Sequence, residues 1–154
     1  MTFFLLGRSD FKPEQKLQII KEIAESINYV HQNKFIHRDL KPENIMIDQN
    51  LKVYLIDFGI AKVCSDGIRS ITRAKGRIHY LAPETLEAAD YTETKDIISI
   101  VTNKVDVWAY GCIVSYIFSG ILPWCNEYTD HEVVIQKVLV LKTKFPIPKV
   151  IRIS

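Results

Sequence analysis

Glycine is scarce in this 154-residue chain. The six glycines stand at positions 7, 59, 67, 76, 111 and 120, so no G-x-G-x-x-G loop can be drawn anywhere along it. Cysteine is equally sparse. Cys64, Cys112 and Cys125 are odd in number and lack C-x-x-C spacing, which excludes a zinc knuckle or dithiol motif and argues against a disulfide-stapled secreted scaffold. A reducing compartment, the cytoplasm with the nucleus not excluded, is the expectation. An excess of charge of one sign is also missing: 20 Lys and Arg face 18 Asp and Glu, with no basic stripe interleaved with aromatics, so nucleic acid is not an expected partner. At the amino end Phe3-Phe4-Leu5-Leu6 is too short for the apolar region of a signal peptide. The 18 uncharged residues from 107 to 124 reach only the lower limit for a bilayer span, and they contain two glycines, two serines and Pro123. The expectation is a helix buried in a soluble domain, with no membrane partner.

What is present makes one ordinary globular domain, 47% hydrophobic and 25% charged. Leu17, Ile20, Ala24, Ile27 and His31 step by three and four, with Ile23 and Val30 widening the stripe, which predicts an amphipathic helix over about 13–32. Pro13 suits its first turn and Glu14 complements the helix dipole. Residues 45–47 and 53–56 are rich in β-formers and flank Asp48-Gln49-Asn50, predicting a hairpin. Residues 60–81 show no sustained period and predict a long functional loop. Helices are expected over 106–118 and, more weakly, 131–141. The fold class is therefore mainly α (α+β), with one hairpin and one loop as its irregular parts.

The chemistry gathers around that hairpin. His37-Arg38-Asp39-Leu40-Lys41-Pro42-Glu43-Asn44 precedes it and Asp57-Phe58-Gly59 follows it. Two aspartates, a lysine and an asparagine brought to one edge could hold a divalent cation and a polyphosphate. Asn44 and Asp57 would supply hard oxygen ligands, Lys41 a counter-charge and Asp39 a proton acceptor.

H-R-D-L-K-P-E-N, then D-F-G thirteen residues beyond the asparagine, then Ala82-Pro83-Glu84, resembles the eukaryotic serine/threonine protein kinase family. The resemblance runs from about Phe11 to Pro148 and implies the family's large lobe, whose hairpin carries the catalytic and metal-binding loops. It implies phosphorylation of Ser/Thr hydroxyls on protein substrates with ATP and Mg2+. Asp39 would accept the hydroxyl proton, Lys41 would neutralise the transferring phosphate, and Asn44 and Asp57 would hold magnesium. Met46 would floor the adenine pocket, Glu43 would sit beside the ribose, and His37 would stack on Phe58. Asp106, in Asp106-Val107-Trp108-Ala109-Tyr110-Gly111, would bond the backbone of the H-R-D turn. Lys41 two residues beyond Asp39 is the serine/threonine choice.

Residues 60–81 become the activation loop, with Ser70 and Thr72 as candidate phosphorylation sites for an upstream activating kinase and Arg38 as the phosphate's partner. Three departures accompany the match. The family's small lobe and C-terminal helices fall outside 1–154, so the expectation is a partial kinase domain, poorly active alone, with Glu84 buried without its usual arginine. The alternative is a non-catalytic kinase-like module that binds a partner protein. Arg77 stands where the family carries a threonine. The surplus residues between Glu84 and Asp106, 94–103, read as an insertion forming a short helix or an added contact.

Overall fold

A computed structural model describes residues 4–5, 11–59, 61–63, 69–70, 78–88, 99–100 and 102–124 of the chain. In order these form β1 (Phe4–Leu5), α1 (Pro13–Gln32), β2 (Phe35–Ile36), β3 (Ile45–Ile47), β4 (Val53–Leu55), β5 (Lys62–Val63), β6 (Arg69–Ser70), α2 (Pro83–Ala88), β7 (Ser99–Ile100) and α3 (Lys104–Ser119). The expected helix over 131–141, Thr72, Arg77 and most of the 94–103 segment lie outside the described residues.

The chain enters α1 where the local chemistry directs it. Pro13 occupies the first turn, Glu14 lies there beside it, and the Lys12 N–H donates to Gln15 Oε1 at 2.9 Å. The helix ends at Asn33, whose Nδ2 donates to the Tyr29 carbonyl at 2.8 Å, and Lys34 turns the chain away with φ of 64°. The buried face is Ile19, Ile23 and Ile27, spaced by four residues. Leu17, expected on the apolar stripe, is instead 61% exposed. The stripe is therefore rotated from the expected one: Ile23 and Ile27 belong to both, and Ile19 takes the inward place assigned to Leu17.

The hairpin forms as expected. Ile45, Met46 and Ile47 pair antiparallel with Leu55, Tyr54 and Val53, and β1 adds a third strand on the other side of β3. Asp48 closes the turn, its Oδ1 accepting the N–H groups of Asn50 and Lys52, both at 2.9 Å. One apolar cluster joins these parts: Ile19, Ile23 and Ile27 of α1, Ile45, Ile47 and Val53 of the hairpin, and Cys112, Ile113 and Ile117 of α3. Each fully buried Ile is worth about 1.5–3 kcal/mol relative to exposure. A smaller cluster of Ile36, Ala82 and Val105 has Trp108 packed against it.

Helix α3 starts two residues earlier than expected and stops at Gly120, which adopts φ of 69° and donates its N–H to the Tyr116 carbonyl at 2.8 Å. That left-handed C-cap is the conformation glycine takes without a side-chain penalty. Among the described residues no helix is long and apolar enough to cross a membrane. The span expected to be one continuous loop contains order of its own. β5 pairs with β2, β6 pairs with β7, and Ile78–Tyr80 form a single 3-10 turn.

Candidate active site

The segment from His37 to Asn44 leaves β2 and is held from behind by one carboxylate. Asp106 is 1% exposed at the start of α3. Its Oδ2 accepts the His37 N–H at 2.9 Å and its Oδ1 accepts the Arg38 N–H at 2.8 Å. The same Oδ2 receives His31 Nε2, from the last turn of α1, at 2.8 Å. Three donors on two oxygens satisfy the charge that burial would otherwise make costly. They also fix Arg38 in a left-handed conformation, φ 70°. Half-burial lowers the Arg38 guanidinium below its ordinary pKa, and the charge of Asp106 opposes that shift.

His37 is buried and uses both ring nitrogens. Nε2 donates to the Ile56 carbonyl at 3.0 Å, while Nδ1 accepts the Asp39 N–H at 3.4 Å, an arrangement that requires the Nε2-protonated tautomer. The ring therefore joins the segment before the hairpin to the chain leaving it. Phe58 packs against this ring, with centroids 4.6 Å apart and planes tilted by 50°, so the expected His37–Phe58 contact is present.

The two carboxylate oxygens of Asp39 have different surroundings. Oδ2 receives Lys41 Nζ at 2.6 Å and Asn44 Nδ2 at 3.0 Å, and Asn44 Nδ2 also donates to the Asp39 carbonyl at 2.8 Å. Among the described residues Oδ1 carries no hydrogen bond. Because the Asn44 amide nitrogen is consumed in this way, its side-chain oxygen points elsewhere. The Ile56 N–H donates to the Asn44 carbonyl at 3.0 Å, extending the hairpin ladder by one rung and setting Asp57 just beyond it. Asp57 is exposed, with φ of 62°, and its Oδ1 accepts the Gly59 N–H at 3.3 Å.

Asp39, Lys41, Asn44 and Asp57 are thus brought to one edge by β3 and β4. Met46 is half-buried in the middle of β3, opposite Tyr54, and Glu43 is half-buried in the 3-10 turn Pro42–Asn44. No group of three or more His, Cys, Asp or Glu gathers among the described residues. An Asn oxygen and one carboxylate nevertheless suit a hard divalent ion completed by phosphate oxygens, as magnesium is in such sites.

A cleft opens beside Asp39, lined by Arg38, Lys41, Tyr80, Ala82 and Thr85 among others. Glu84 is exposed in the first turn of α2, not buried as expected. There its charge faces helix N–H groups and water, so it needs no partner to offset desolvation. Ser70 lies on β6, opposite Ser99 of β7. Sequence reasoning passed over two residues. His31 falls on the expected apolar stripe, yet an imidazole there demands a hydrogen-bond partner, and that demand is the signal for it. Thr85 directly follows Ala82-Pro83-Glu84 and had no signal of its own.

The sequence pattern of the protein kinase domain matches residues 2–154. This chain belongs to the eukaryotic protein kinase family. It is 42% identical over 134 residues to "Receptor protein kinase WSS1" of Oryza sativa subsp. japonica, covering 82% of this chain and 14% of that protein. It is 31% identical over 129 residues to "Serine/threonine-protein kinase PKH2" of Saccharomyces cerevisiae, covering 82% of this chain and 12% of the relative. It is 32% identical over 142 residues to an "Aurora kinase" of Eremothecium gossypii, covering 92% and 35%. The kinase chain thus spans about an eighth to a third of the length of these relatives. Protein phosphorylation is the family's general activity, and the family generally uses ATP and Mg2+.

Proposed function

We propose that this chain forms the large lobe of a serine/threonine protein kinase and transfers the γ-phosphate of ATP to hydroxyls of protein substrates. The observation that carries the reading is the division of labour within Asp39. One oxygen is held by Lys41 and Asn44, and the other is left to accept a hydrogen bond from an incoming hydroxyl. A carboxylate fixed on one side can orient a hydroxyl and take its proton as the oxygen attacks. Lys41, two residues beyond Asp39 and within ion-pair distance of it, would also stabilise charge on the transferring phosphoryl group. This placement supports Ser/Thr rather than Tyr as acceptor.

Asn44, through its side-chain oxygen, and Asp57, through its carboxylate, would hold magnesium, which when bound neutralises and aligns the phosphates. Met46 and Glu43 would border the adenine and ribose. Arg38 would pair with a phosphate placed on the loop at Ser70 or Thr72 by an upstream kinase. The cysteine usage supports the cytoplasm as the compartment.

The test is transfer of labelled phosphate from ATP to Ser- and Thr-containing peptides by the chain joined to a kinase small lobe. Transfer is expected, with loss of at least about a hundredfold in Asp39→Asn, the scale of one positioned acid–base group. The chain alone is expected to transfer poorly, since misalignment of reactants costs orders of magnitude. If the joined protein folds, binds ATP and still transfers nothing, the partner-binding module is the correct reading.

A further inference from the structure

The site leaves the surplus residues between Glu84 and Asp106 unused. Ser99–Ile100 emerge from them as β7 and pair antiparallel with β6, setting Arg69 opposite Ile100 and Ser70 opposite Ser99. The two strands are far apart in sequence, so bringing them together carries a loop-closure cost that local propensity does not meet. The pairing has a firm footing on one side. Two residues beyond β7, Thr102 accepts the Val105 N–H on its carbonyl at 3.2 Å and the Lys104 N–H on its Oγ1 at 3.3 Å, at the start of α3. β7 also lies against α2. One strand of the ladder therefore lies against α2 and shortly precedes the helix that carries Asp106, and the other belongs to the loop.

We infer that β7, Ser99–Ile100, is a strap. Ser99–Ile100 hold Arg69–Ser70 by backbone pairing, so that an enzyme acting on Arg69–Ser70 reaches them only after β6 is released. A kinase modifying Ser70 and a protease cutting after Arg69 meet the same restriction, because each must take the segment out of the ladder into its own site. The strap makes loop phosphorylation conditional on a local opening. That regulatory meaning rests on the function proposed above, whereas the restraint itself does not.

The test uses the 154-residue chain with prolines at both strand positions, Ser99→Pro and Ile100→Pro, which remove the ladder's N–H donors. Trypsin probes the bond after Arg69, and hydrogen exchange follows the amides of 69–70, 99–100 and α3. Cleavage after Arg69 and exchange at 69–70 are expected to rise about three- to tenfold, the effect of losing one or two backbone hydrogen bonds, with α3 protection unchanged. Ser99→Ala with Ile100→Val keeps the backbone donors and should leave both rates as they were. The reciprocal variant, Ser70→Pro, should speed exchange at 99–100. Should the double-proline chain lose α3 protection, replacement of 94–101 by a Gly/Ser segment of equal length decides by the same readouts. Unchanged cleavage and exchange with α3 intact, or an equal rise in the Ala/Val variant, overturns the strap. None of these readouts needs phosphoryl transfer, so a failed strap and a failed kinase reading are told apart.

Discussion

Helix α1 buries a single stripe of isoleucines and leaves Leu17, Lys21 and Tyr29 to solvent, whereas α3 buries Val105, Asp106, Ala109, Cys112, Ile113, Ser115 and Ile117 around much of its circumference. The two pack against each other, yet they serve the site differently. α1 is a cover: its periodic face seals the core and its last turn sends one imidazole toward the catalytic segment. α3 is an axis, its apolar length fixed by the core and its one buried charge spent on the backbone that aims Asp39. Periodicity marks a covering helix. Its absence, together with one isolated acidic residue at the end of an uncharged stretch, marks a helix at the centre.

The sharpest way to break this comparison is Asp106→Ala. It leaves two backbone N–H groups and His31 facing an empty site, and the expected loss is about 3–5 kcal/mol in chemical unfolding, the scale of breaking a buried charged network. Asp106→Asn should fall between the two, since one oxygen survives and the amide nitrogen opposes a donor.

Ile113→Ala and Ile23→Ala come next. Each removes a fully buried side chain, one from the axis and one from the cover, and each should cost about 2–5 kcal/mol. Because α3 buries side chains around more of its circumference than α1 does, Ile113→Ala is expected to be the larger. Equal values would show that cover and axis are energetically alike.

Cys112 gives a smaller, pH-dependent effect. Burial pushes its thiol from an ordinary 9.0 up to about 12. The folded state therefore holds the proton longer than the unfolded chain does. The associated stability is complete below about pH 9 and erodes as pH rises toward 12. Unfolding titrations should show this decline flatten in Cys112→Ala, at the cost of a general loss for the vacated volume. The smallest effect is expected from Leu17→Ser on the outer face of α1, within about 0.5 kcal/mol by thermal unfolding.

The parts legible in the sequence were those set by local rules. α1 follows from its capping residues and period, the hairpin from β-formers flanking an Asp-x-Asn turn, and the grouping of Asp39, Lys41, Asn44 and Asp57 from the two motifs at its open end. The orientation of α1 was less legible, because Leu17 and Ile19 both fit an apolar stripe and only contact with β4 and α3 decides between them. The two-residue strands β1, β2, β5, β6 and β7 left no trace, since two residues carry no period and each finds its partner at long range. Glu84 was misjudged for a related reason: its exposure depends on how α2 sits, which no neighbour in sequence dictates. His31 and Asp106 lie 75 residues apart, and nothing local announces their bond.

The closing rung between Ile56 and Asn44 makes the hairpin a gauge with one free end and one fixed end. Residues added in matched pairs on either side of Asp48 would lengthen the ladder outward and leave Asn44 and Asp57 where they are. A single residue inserted into one arm would shift the register by one and turn every side chain beyond it to the opposite face. Descendants of this sequence are therefore free to elaborate the turn near Asp48, but they can accept length changes between Asn44 and Asp57 only in steps that keep both arms equal.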